Sequence, residues 1–479
     1  MAGQAGQSDS AARRPWPDYA AVWRWHFYAG LFCLPFFCWL ATTGSIYLFR
    51  PDIEALLDRP YESLEIHGQR AVPSAEARAA IMAVPGSTFS HYEPPATSTG
   101  AAQVVVAARD HLYRVTIHPT TLQPMRIGRD DHRPMDVIAH LHGQLLLGDR
   151  GSMIVELAGC WGVVMIITGL YLWIPRGSWR AGGLIYPRIG QRGRSFWRDL
   201  HAVTGFWISV VTLFLLLSGL PWSAAWGRYF TWVRNHWSVT AGTPDWPIGA
   251  KEEPAPRVAT SPPAGAPKSS MPGMDAAEMT AMSSSAPKVD GSNGETGSDL
   301  GALDTLIPVA KRLDLPRPVW VSPPAPGMRD WTIASRAQDR PQRVTYAISP
   351  QTGAITGRSG FAQENAVDRV INVAIATHEG QLFGRINQAI LLLNAMGVLL
   401  VSATAAVMWW RRKPTDVLGA PQRVVQPRFS AALLVIVICL ALVLPEFGVS
   451  ILLVLAIERT ALRRLPKARR WLGLVSRTA

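Results

Sequence analysis

Long apolar runs alternate with polar stretches along the chain, and four of these runs are long enough to cross a membrane. They carry one charged residue between them, Glu156, and cover residues 27–49, 153–174, 202–222 and 386–410. A helix needs about 20 consecutive apolar residues to span the hydrocarbon core of a bilayer. We therefore predict four membrane-spanning helices in a multi-pass, α-helical membrane protein.

A fifth apolar block, residues 430–457, contains Pro445 and Glu446 near its middle. Proline removes a backbone donor from a continuous helix, and a glutamate in hydrocarbon is costly. Basic residues flank the block on both sides, and basic flanks favour the cytoplasm at both ends. We predict a helical hairpin over residues 429–459 that turns at residues 445–448 and carries Glu446 near the outer surface.

The polar stretch of residues 50–140 predicts a small α+β module. A helix-compatible segment over residues 77–84 ends before a proline. Residues 112–118 alternate between apolar and polar side chains, as a half-buried strand does. Together with residues 103–107 they are predicted to form a pair of strands.

Residues 303–377 repeat this pattern and predict a second module. A helix is expected over residues 303–313, interrupted or kinked by the proline at position 308. Strands are expected over residues 331–334 and 343–348. Both modules end in a similar strand and turn, so the two halves of the chain look duplicated.

Charge is distributed unequally between the two sides that these helices define. Residues 1–26, 175–200, 411–428 and 458–479 hold 21 Lys/Arg and 5 Asp/Glu, whereas residues 50–152 and 223–385 hold 26 and 27. The positive-inside rule assigns the first group to the cytoplasm, with the N-terminus, both basic loops and the basic tail over 460–479. The modules are then expected outside, and the net charge of +13 indicates topology rather than nucleic-acid binding.

Residues 223–302 join the third apolar run to the second module, and from residue 243 they are rich in Pro, Ser, Ala and Gly. Two Met-x-x-Met pairs lie in this low-complexity segment, formed by Met271, Met274, Met279 and Met282. Paired thioethers outside the cytoplasm could capture Cu(I), a soft ion. No His or Cys joins the cluster, and an ordinary flexible linker is the plainer interpretation.

The cysteines all lie inside apolar runs, at Cys33, Cys38, Cys160 and Cys439. Their spacing matches neither a disulfide framework nor a metal site. We predict that they are small buried hydrophobic residues.

Four histidines lie shortly before the first residues of the four apolar runs: His26, His142, His201 and His378. His26 and His201 begin the first and third runs, each of which carries a hydroxyl–glycine pair near its far end, Thr43–Gly44 and Ser218–Gly219. His142 and His378 precede the second and fourth runs. The predicted topology therefore places one pair of histidines at the cytoplasmic side and the other pair at the outer side.

Two facing imidazoles at equal depth can clamp one haem iron from both sides, so each pair predicts one haem. His140 lies two residues before His142 and is an alternative ligand, although the surroundings of His142 match those of His378 better. The chain has no Cys-x-x-Cys-His motif, which excludes covalent attachment and leaves two b-type haems.

Glycines and arginines near these histidines suit a flat, anionic macrocycle. The glycines would let it approach the backbone, and they are Gly30, Gly148, Gly205 and Gly384. The arginines could pair with its propionates, and they are Arg24, Arg150, Arg198 and Arg385. The catalytic residues stay unassigned, because the haem itself would carry the chemistry.

The motifs around the histidines resemble, as a set, those of the PepSY-associated transmembrane family. They read Arg24-x-His26-x-x-x-Gly30, Leu141-His142-x-x-Leu145-x-x-Gly148, Asp199-Leu200-His201-x-x-x-Gly205 and His378-x-Gly380-x-Leu382-Phe383-Gly384. The resemblance covers about residues 20–460, and the two modules resemble PepSY domains. It implies a four-helix haem-binding bundle in a bacterial inner membrane, which passes electrons outward to a ferric siderophore in the periplasm.

Other functions remain open at this stage. The Met-x-x-Met pairs favour reduction of periplasmic Cu(II), and a non-redox membrane protein whose modules bind or regulate a partner is a further alternative. A transporter fits less well, because the apolar runs are continuous and nearly free of charge. The chain has no Gly-rich dinucleotide fingerprint, so a redox function needs electrons from quinol or from a separate reductase.

Overall fold

The computed structural model describes residues 19–176, 180–237, 299–325, 327–421 and 431–474. The chain divides into two compact units. The first unit contains the described parts of residues 1–54, 134–254 and 365–479, and the second contains those of residues 55–133 and 255–364.

The helices of the described residues are α1 (Tyr19–Tyr47), α2 (Arg50–Asp58), α3 (Pro73–Ala83), α4 (Pro134–Gln144), α5 (Asp149–Trp173), α6 (Arg194–Gly219), α7 (Ala224–Trp237), α8 (Ala302–Leu313), α9 (Ala366–His378), α10 (Gly384–Arg412), α11 (Ala431–Val443), α12 (Pro445–Arg459), α13 (Ala461–Arg464) and α14 (Pro466–Trp471). The strands are β1 (Thr88–Glu93), β2 (Ala102–Ala108), β3 (His111–Ile117), β4 (Pro124–Arg129), β5 (Val319–Ser322), β6 (Trp331–Ser335), β7 (Val344–Ile348) and β8 (Ile355–Gly360).

The first unit is built on four long apolar helices, α1, α5, α6 and α10. Within the described residues, these four are the unbroken helices that are long and apolar enough to cross a membrane. Helix α1 packs against α5 and α10, and α6 packs against the same two neighbours, so the four helices form a bundle. The prediction of a mostly helical membrane protein with four candidate spans is confirmed.

The helices extend beyond the charge-free runs from which they were predicted. Helix α1 begins at Tyr19 instead of residue 27, and α6 begins at Arg194 instead of residue 202. The added turns carry Arg24 and Asp199, both of which are buried. Hydropathy marks only the part of a helix that suits hydrocarbon, whereas the backbone hydrogen bonds continue into the polar flank.

The cysteines are free, as predicted, but they are not all buried. Cys33 and Cys160 lie in the interior of the bundle, while Cys38 is half-buried. Cys439 is exposed on α11, so the prediction of burial is wrong there. An apolar helix that faces lipid can expose a small hydrophobic residue at little cost.

The C-terminal apolar block forms two helices, α11 and α12, which meet at a bend of 120°. The break falls at Leu444, one residue before the predicted turn, and residues 445–448 already belong to α12. The chain therefore breaks into two helices as predicted, one residue before the predicted turn. Proline is well tolerated in the first turn of a helix, where its missing N–H has no intrahelical partner to lose.

The second unit contains one antiparallel sheet of eight strands in the order β4-β3-β2-β1-β5-β6-β7-β8. The predicted strands over 103–107, 112–118, 331–334 and 343–348 are all present as β2, β3, β6 and β7. Strands β1, β4, β5 and β8 were not predicted. Helix α8 continues through Pro308 without the predicted interruption.

The two predicted modules contribute to a single sheet, because β1 and β5 pair at its centre through Tyr92 and Val321. One hydrophobic core serves both halves and includes Ala77 of α3, Leu303 of α8 and Ile333 of β6, each of them fully buried. Joining the halves pairs the edges at β1 and β5 and gives both halves one larger core, so that only β4 and β8 remain as edge strands of this sheet.

An ion-pair network stabilises the first half of this sheet. The guanidinium of Arg114 lies 2.7 Å from a carboxylate oxygen of Glu93 and 2.6 Å from one of Asp130. Burial alone would raise the pKa of Glu93, but Arg114 and His91 hold it well below its usual range. Glu93 is therefore ionised in the folded protein and adds stability wherever it would also be ionised in the unfolded chain.

We expect Glu93→Gln to lower the free energy of unfolding of the sheet by at most about 3 kcal/mol at pH 7, because Arg114 loses one of its two carboxylate partners. A depressed pKa contributes stability above the unfolded value of about 4.3, and this contribution is lost as the pH falls below it. The difference between variant and wild type should therefore shrink at pH 3. Calorimetric unfolding of the detergent-purified protein at both pH values measures it.

Glu65→Gln is the matched control, because the Glu65 side chain is 95% exposed. Equal unfolding profiles for Glu93→Gln and Glu65→Gln at pH 7 would contradict the assignment.

Candidate functional site

The four predicted histidines come together in two pairs inside the first unit. The ring centroids of His26 and His201 are 6.4 Å apart, with an angle of 82° between the ring planes. Those of His142 and His378 are 6.5 Å apart, with an angle of 84°. The pairing predicted from the sequence matches the observed neighbours, and the geometry of the two pairs is nearly the same.

The two pairs lie at opposite ends of the bundle. Helices α1 and α6 carry His26 and His201 near their first turns, and the short helices α4 and α9 carry His142 and His378 near their last turns. The ring of His142 contacts Thr43, which lies 17 residues after His26 on α1. At 1.5 Å per residue this corresponds to a separation of about 25 Å along the helix.

Each imidazole is held at Nδ1 by a hydroxyl group on a different helix. The contacts are His26 with Thr168 at 3.2 Å, His201 with Thr404 at 3.2 Å, His142 with Thr43 at 2.9 Å and His378 with Ser218 at 2.8 Å. His26 and His201 also contact the carbonyl oxygens of Met165 and Val401 through the same nitrogen, at 3.0 and 3.1 Å.

These contacts decide which ring nitrogen carries the proton. Each of the four hydroxyls donates its own proton to a carbonyl of its helix, as Thr43 does to Trp39 and Ser218 to Leu215. At His26 and His201 the carbonyl oxygens of Met165 and Val401 can only accept, so Nδ1 donates there, and the hydroxyl contacts of His142 and His378 are compatible with the same tautomer. This leaves the lone pair on Nε2, and within the described residues no hydrogen bond engages that nitrogen.

The spacing of the rings fits a single metal ion held between two Nε2 atoms. Nitrogen ligands bind a transition metal at roughly 2 Å, and two imidazoles that point at one ion from opposite sides then have centroids at about the observed separation. No group of three or more His, Cys, Asp or Glu side chains in the described parts of the chain could hold a metal ion. A two-histidine site therefore suits a metal whose other ligands come from elsewhere, such as the ring of a haem.

Small residues allow the rings to lie close to the helices. A methyl group on Gly44 would come within 3.1 Å of Cε1 of His142, and one on Gly169 within 3.0 Å of Cε1 of His26. On Gly219 the corresponding distance to His378 is 3.6 Å, an ordinary contact. Tight packing against glycine therefore fixes the ring position most strongly at Gly44 and Gly169.

The hydroxyl partners repeat at a regular spacing that the sequence interpretation used only in part. Thr43 follows His26 by 17 residues, and Ser218 follows His201 by 17. Thr168 follows His142 by 26 residues, as Thr404 follows His378. The pairs Thr43–Gly44 and Ser218–Gly219 are visible as a repeat in the sequence, whereas Thr168 and Thr404 were not predicted as partners of the histidines.

Two ion pairs, one half-buried and one buried, position the two short helices. Arg50 of α2 contacts Asp136 of α4 at 3.0 Å. Arg234 of α7 contacts Asp368 of α9 at 2.9 Å, with both side chains 6% exposed. The side chain of Asn365 caps α9 by accepting a hydrogen bond from the backbone N–H of Asp368 at 2.9 Å. The arginine on the helix after α1 thus holds α4 in place, and the arginine on the helix after α6 holds α9.

His142, and not His140, faces His378 across the bundle. The His378 ring also meets the indole edge of Trp222, with centroids 5.5 Å apart and an angle of 86°. Of the two alternatives that the sequence left open, the geometry therefore favours His142 as the partner of His378.

The predicted glycines have different surroundings. A methyl group on Gly205 would meet no atom within 4 Å, so space is open beside the helix one turn after His201. On Gly30 it would only touch Met165, at 3.9 Å. Gly148 and Gly384 have φ of 59° and 55° at the starts of α5 and α10. There glycine is favoured by the backbone conformation itself.

Three of the four predicted arginines have partners within the protein. Arg24 donates to the carbonyl oxygens of Pro421 and Gly473 at 2.7 and 3.0 Å. Arg198 pairs with Asp199 at 2.8 Å, and Arg385 pairs with Asp52 at 2.7 Å. Arg150 is exposed. Arg24 is therefore committed to the backbone of two C-terminal segments, while Arg198 and Arg385 keep exposed side chains.

The possible copper ligands Met271, Met274, Met279 and Met282 lie outside the described residues. Their role as a site stays a prediction.

The family model of the PepSY-associated TM region matches residues 23–412, which include all four paired histidines and both halves of the sheet. A search of curated protein sequences found no significant match.

We expect Thr43→Val to lower the free energy of unfolding by about 1–2 kcal/mol, because it leaves the buried Nδ1 donor of His142 without its hydroxyl acceptor while keeping the side-chain shape. Chemical denaturation followed by tryptophan fluorescence measures it. Thr42→Val is the matched control, because the hydroxyl of Thr42 bonds only to its own helix, at the carbonyl of Cys38. Equal losses in the two variants would show that the contact with His142 adds nothing.

Proposed function

This chain belongs to the PepSY-associated TM family, and from that premise we propose that it is a di-haem, b-type oxidoreductase of the bacterial inner membrane. It takes electrons from quinol or a separate reductase at the cytoplasmic side and delivers them to a periplasmic metal complex. The favoured substrate is a ferric siderophore, whose reduction releases iron. The enzyme is a membrane-bound metalloreductase.

The observation that carries the proposal is the matched geometry of the two histidine pairs. In each pair the ring centroids lie 6.4 or 6.5 Å apart at one end of the bundle, and Nδ1 is held by a neighbouring helix, which leaves both Nε2 atoms available for a shared metal ion. Two neutral imidazoles are the axial ligands of many b-type haems. A haem held by each pair would supply one-electron redox chemistry, and the two ends of the bundle would then be connected across the membrane.

The residues of the chain prepare these sites for the metal. Thr168, Thr404, Thr43 and Ser218 fix the tautomer that presents Nε2. A histidine ligand that donates its other N–H to an acceptor has a settled orientation and higher basicity. The open space beside Gly205 can admit a flat ring, and Arg198 and Arg385 can pair with anionic groups at its edge.

Orientation follows from charge. With the basic loops and tail in the cytoplasm, the His26/His201 pair would lie at the cytoplasmic side and the His142/His378 pair at the periplasmic side, with the N-terminus inside. The sheet unit, which the chain enters after α1 and after α6–α7, then lies in the periplasm. It is the part of the chain that could recognise the substrate.

A Cu(II) complex is the second candidate substrate, and the two Met-x-x-Met pairs favour it. Thioether sulfur prefers Cu(I), the product of such a reduction. A non-redox role, in which the sheet unit binds or regulates a partner protein, is the alternative that applies if no haem is bound.

We expect the purified protein to show the absorption bands of low-spin, bis-histidine haem at two haems per chain. His201→Ala should lose about half of the haem, because it removes one ligand of the first pair and leaves the second pair intact. His140→Ala is the control and should keep both haems. Haem content by pyridine haemochrome assay measures the outcome, and full retention in His201→Ala would refute the pairing. A colourless wild-type protein would favour the non-redox alternative.

We expect the dithionite-reduced protein to be reoxidised when it is mixed anaerobically with a ferric siderophore. Stopped-flow absorbance of the haem bands follows the reaction, and Cu(II) is tested in parallel. Reoxidation by Cu(II) alone would transfer the substrate assignment to copper and give the methionine pairs a role. If neither complex reoxidises the protein within minutes, the proposed metalloreductase activity is wrong.

A further inference from the structure

Two glutamates lie close together in the first unit, apart from the histidine pairs. Glu156 is on α5 and Glu446 is in the first turn of α12, and the two helices pack together. Their charges are close enough to interact. Glu156 is the single acidic residue of the four predicted apolar runs, and Glu446 interrupts the fifth.

Glu156 is held in place by the start of α7. Its Oε2 accepts hydrogen bonds from the backbone N–H groups of Ala225 and Trp226 at 3.0 and 3.1 Å. Its other oxygen, Oε1, is buried and has no hydrogen-bond partner among the described residues, although the whole side chain is only 3% exposed. Two N–H donors at a helix N-terminus stabilise the ionised form of Glu156.

Glu446 has no such donors. Both of its carboxylate oxygens are buried without a hydrogen-bond partner in the described part of the chain. The surrounding helices are fixed by Phe447, which packs edge-on against Trp161 with ring centroids 5.2 Å apart, and by Ser450, whose hydroxyl accepts from the Trp161 indole at 3.1 Å. These contacts hold the start of α12, and with it Glu446, against α5.

Few other charges face this pair. From α5 the Cys160 thiol lies near both carboxyl groups. From α7 the nearest cation is Arg228, whose side chain is 59% exposed and lies 3.7 Å from Asp149. Helix α11 presents no acidic or basic side chain, and its one thiol, Cys439, is exposed. Two carboxylates at close range repel each other, so Glu446, which lacks donors, has the higher proton affinity of the two.

A short stretch of chain connects this pair to the second histidine pair. The residue that meets Glu156, Ala225, lies three positions after Trp222, whose indole contacts the ring of His378. Three residues span at most about 11 Å even when extended. A change of charge at the His142/His378 site therefore changes the electrostatic potential at the carboxyl pair, because the protein interior between them screens charge poorly.

We propose that Glu446 and Glu156 form a proton-binding site that is linked to reduction at the His142/His378 site. The inference rests on the proposed function, since it needs a redox group at that site. The arrival of one electron adds a negative charge, and the Glu446 carboxylate takes one proton from the aqueous phase to become a carboxylic acid. When the electron leaves for the substrate, Glu446 releases the proton, so electrons and protons balance in each cycle.

The two glutamates have different roles in this site. Glu446 binds and releases the proton. Glu156 is a positioning residue, because its fixed negative charge raises the proton affinity of Glu446 and its bonds to α7 keep the pair beside Trp222. The C-terminal hairpin thus contributes a functional group to the bundle.

The test is a redox titration at pH 6, 7 and 8 in the His201→Ala background, where only the His142/His378 site keeps both ligands. The midpoint potential should fall with rising pH, by at most about 59 mV per unit for one proton per electron. Glu446→Gln should make it independent of pH in this range. Glu156→Gln keeps an oxygen that accepts from α7 and should move the pH-dependent range to lower pH.

Asp149→Asn is the matched control, a carboxyl on the same helix that is 71% exposed, and it should behave like the background protein. Redox-difference infrared spectra of the unmutated protein provide a second readout, with a carboxylic-acid C=O band that appears on reduction and shifts in D2O. This readout also covers the case in which Glu446→Gln does not fold.

The outcomes separate the two proposals. A protein without haem overturns the proposed function, and this inference with it. Haem with a pH-independent potential and no carboxyl band, or an unchanged pH dependence in Glu446→Gln, overturns the inference alone.

Discussion

The hydrogen bond from each histidine Nδ1 to a hydroxyl on a neighbouring helix is the contact on which the bundle depends most. It satisfies a polar group inside an apolar interior, where an unpaired donor would be costly. It also restricts the ring orientation and leaves Nε2 available for a ligand. Packing alone would leave the imidazole free to rotate, whereas a hydroxyl such as Thr43, already committed to its own helix, accepts from one nitrogen only.

This constraint also ties the two ends of the bundle together. Helix α1 carries His26 at one end and Thr43 at the other, so a shift of α1 along its axis would disturb both sites at once. Helix α6 is in the same position with His201 and Ser218. The equal spacing of 17 residues on both helices keeps the two ends in register. The small residues beside the rings leave little slack, since a methyl group at Gly169 would already crowd His26.

The sequence alone predicted the spans and the histidine pairs, because both depend on patterns that are local in the chain. A long charge-free run indicates a membrane-spanning helix, and a histidine directly before such a run, such as His26, is easily recognised in the sequence. The hydroxyl partners could not be assigned, because Thr43 belongs to His142 and not to the histidine of its own helix. The joining of both halves into a single sheet could not be predicted for a similar reason, because the pairing of Tyr92 with Val321 joins segments that lie 229 residues apart. The sequence of either short strand contains no local pattern that identifies its partner strand.

That central pairing has a consequence for the order in which the protein is made. Strand β1 leaves the ribosome long before β5, and two long apolar helices, α5 and α6, are synthesised between them. Until β5 arrives, the first half of the sheet presents an open edge at β1, which is prone to pair with other chains. Assembly of the sheet is thus a late event in biogenesis, and the nascent first half needs either rapid synthesis of the second or the protection of a chaperone.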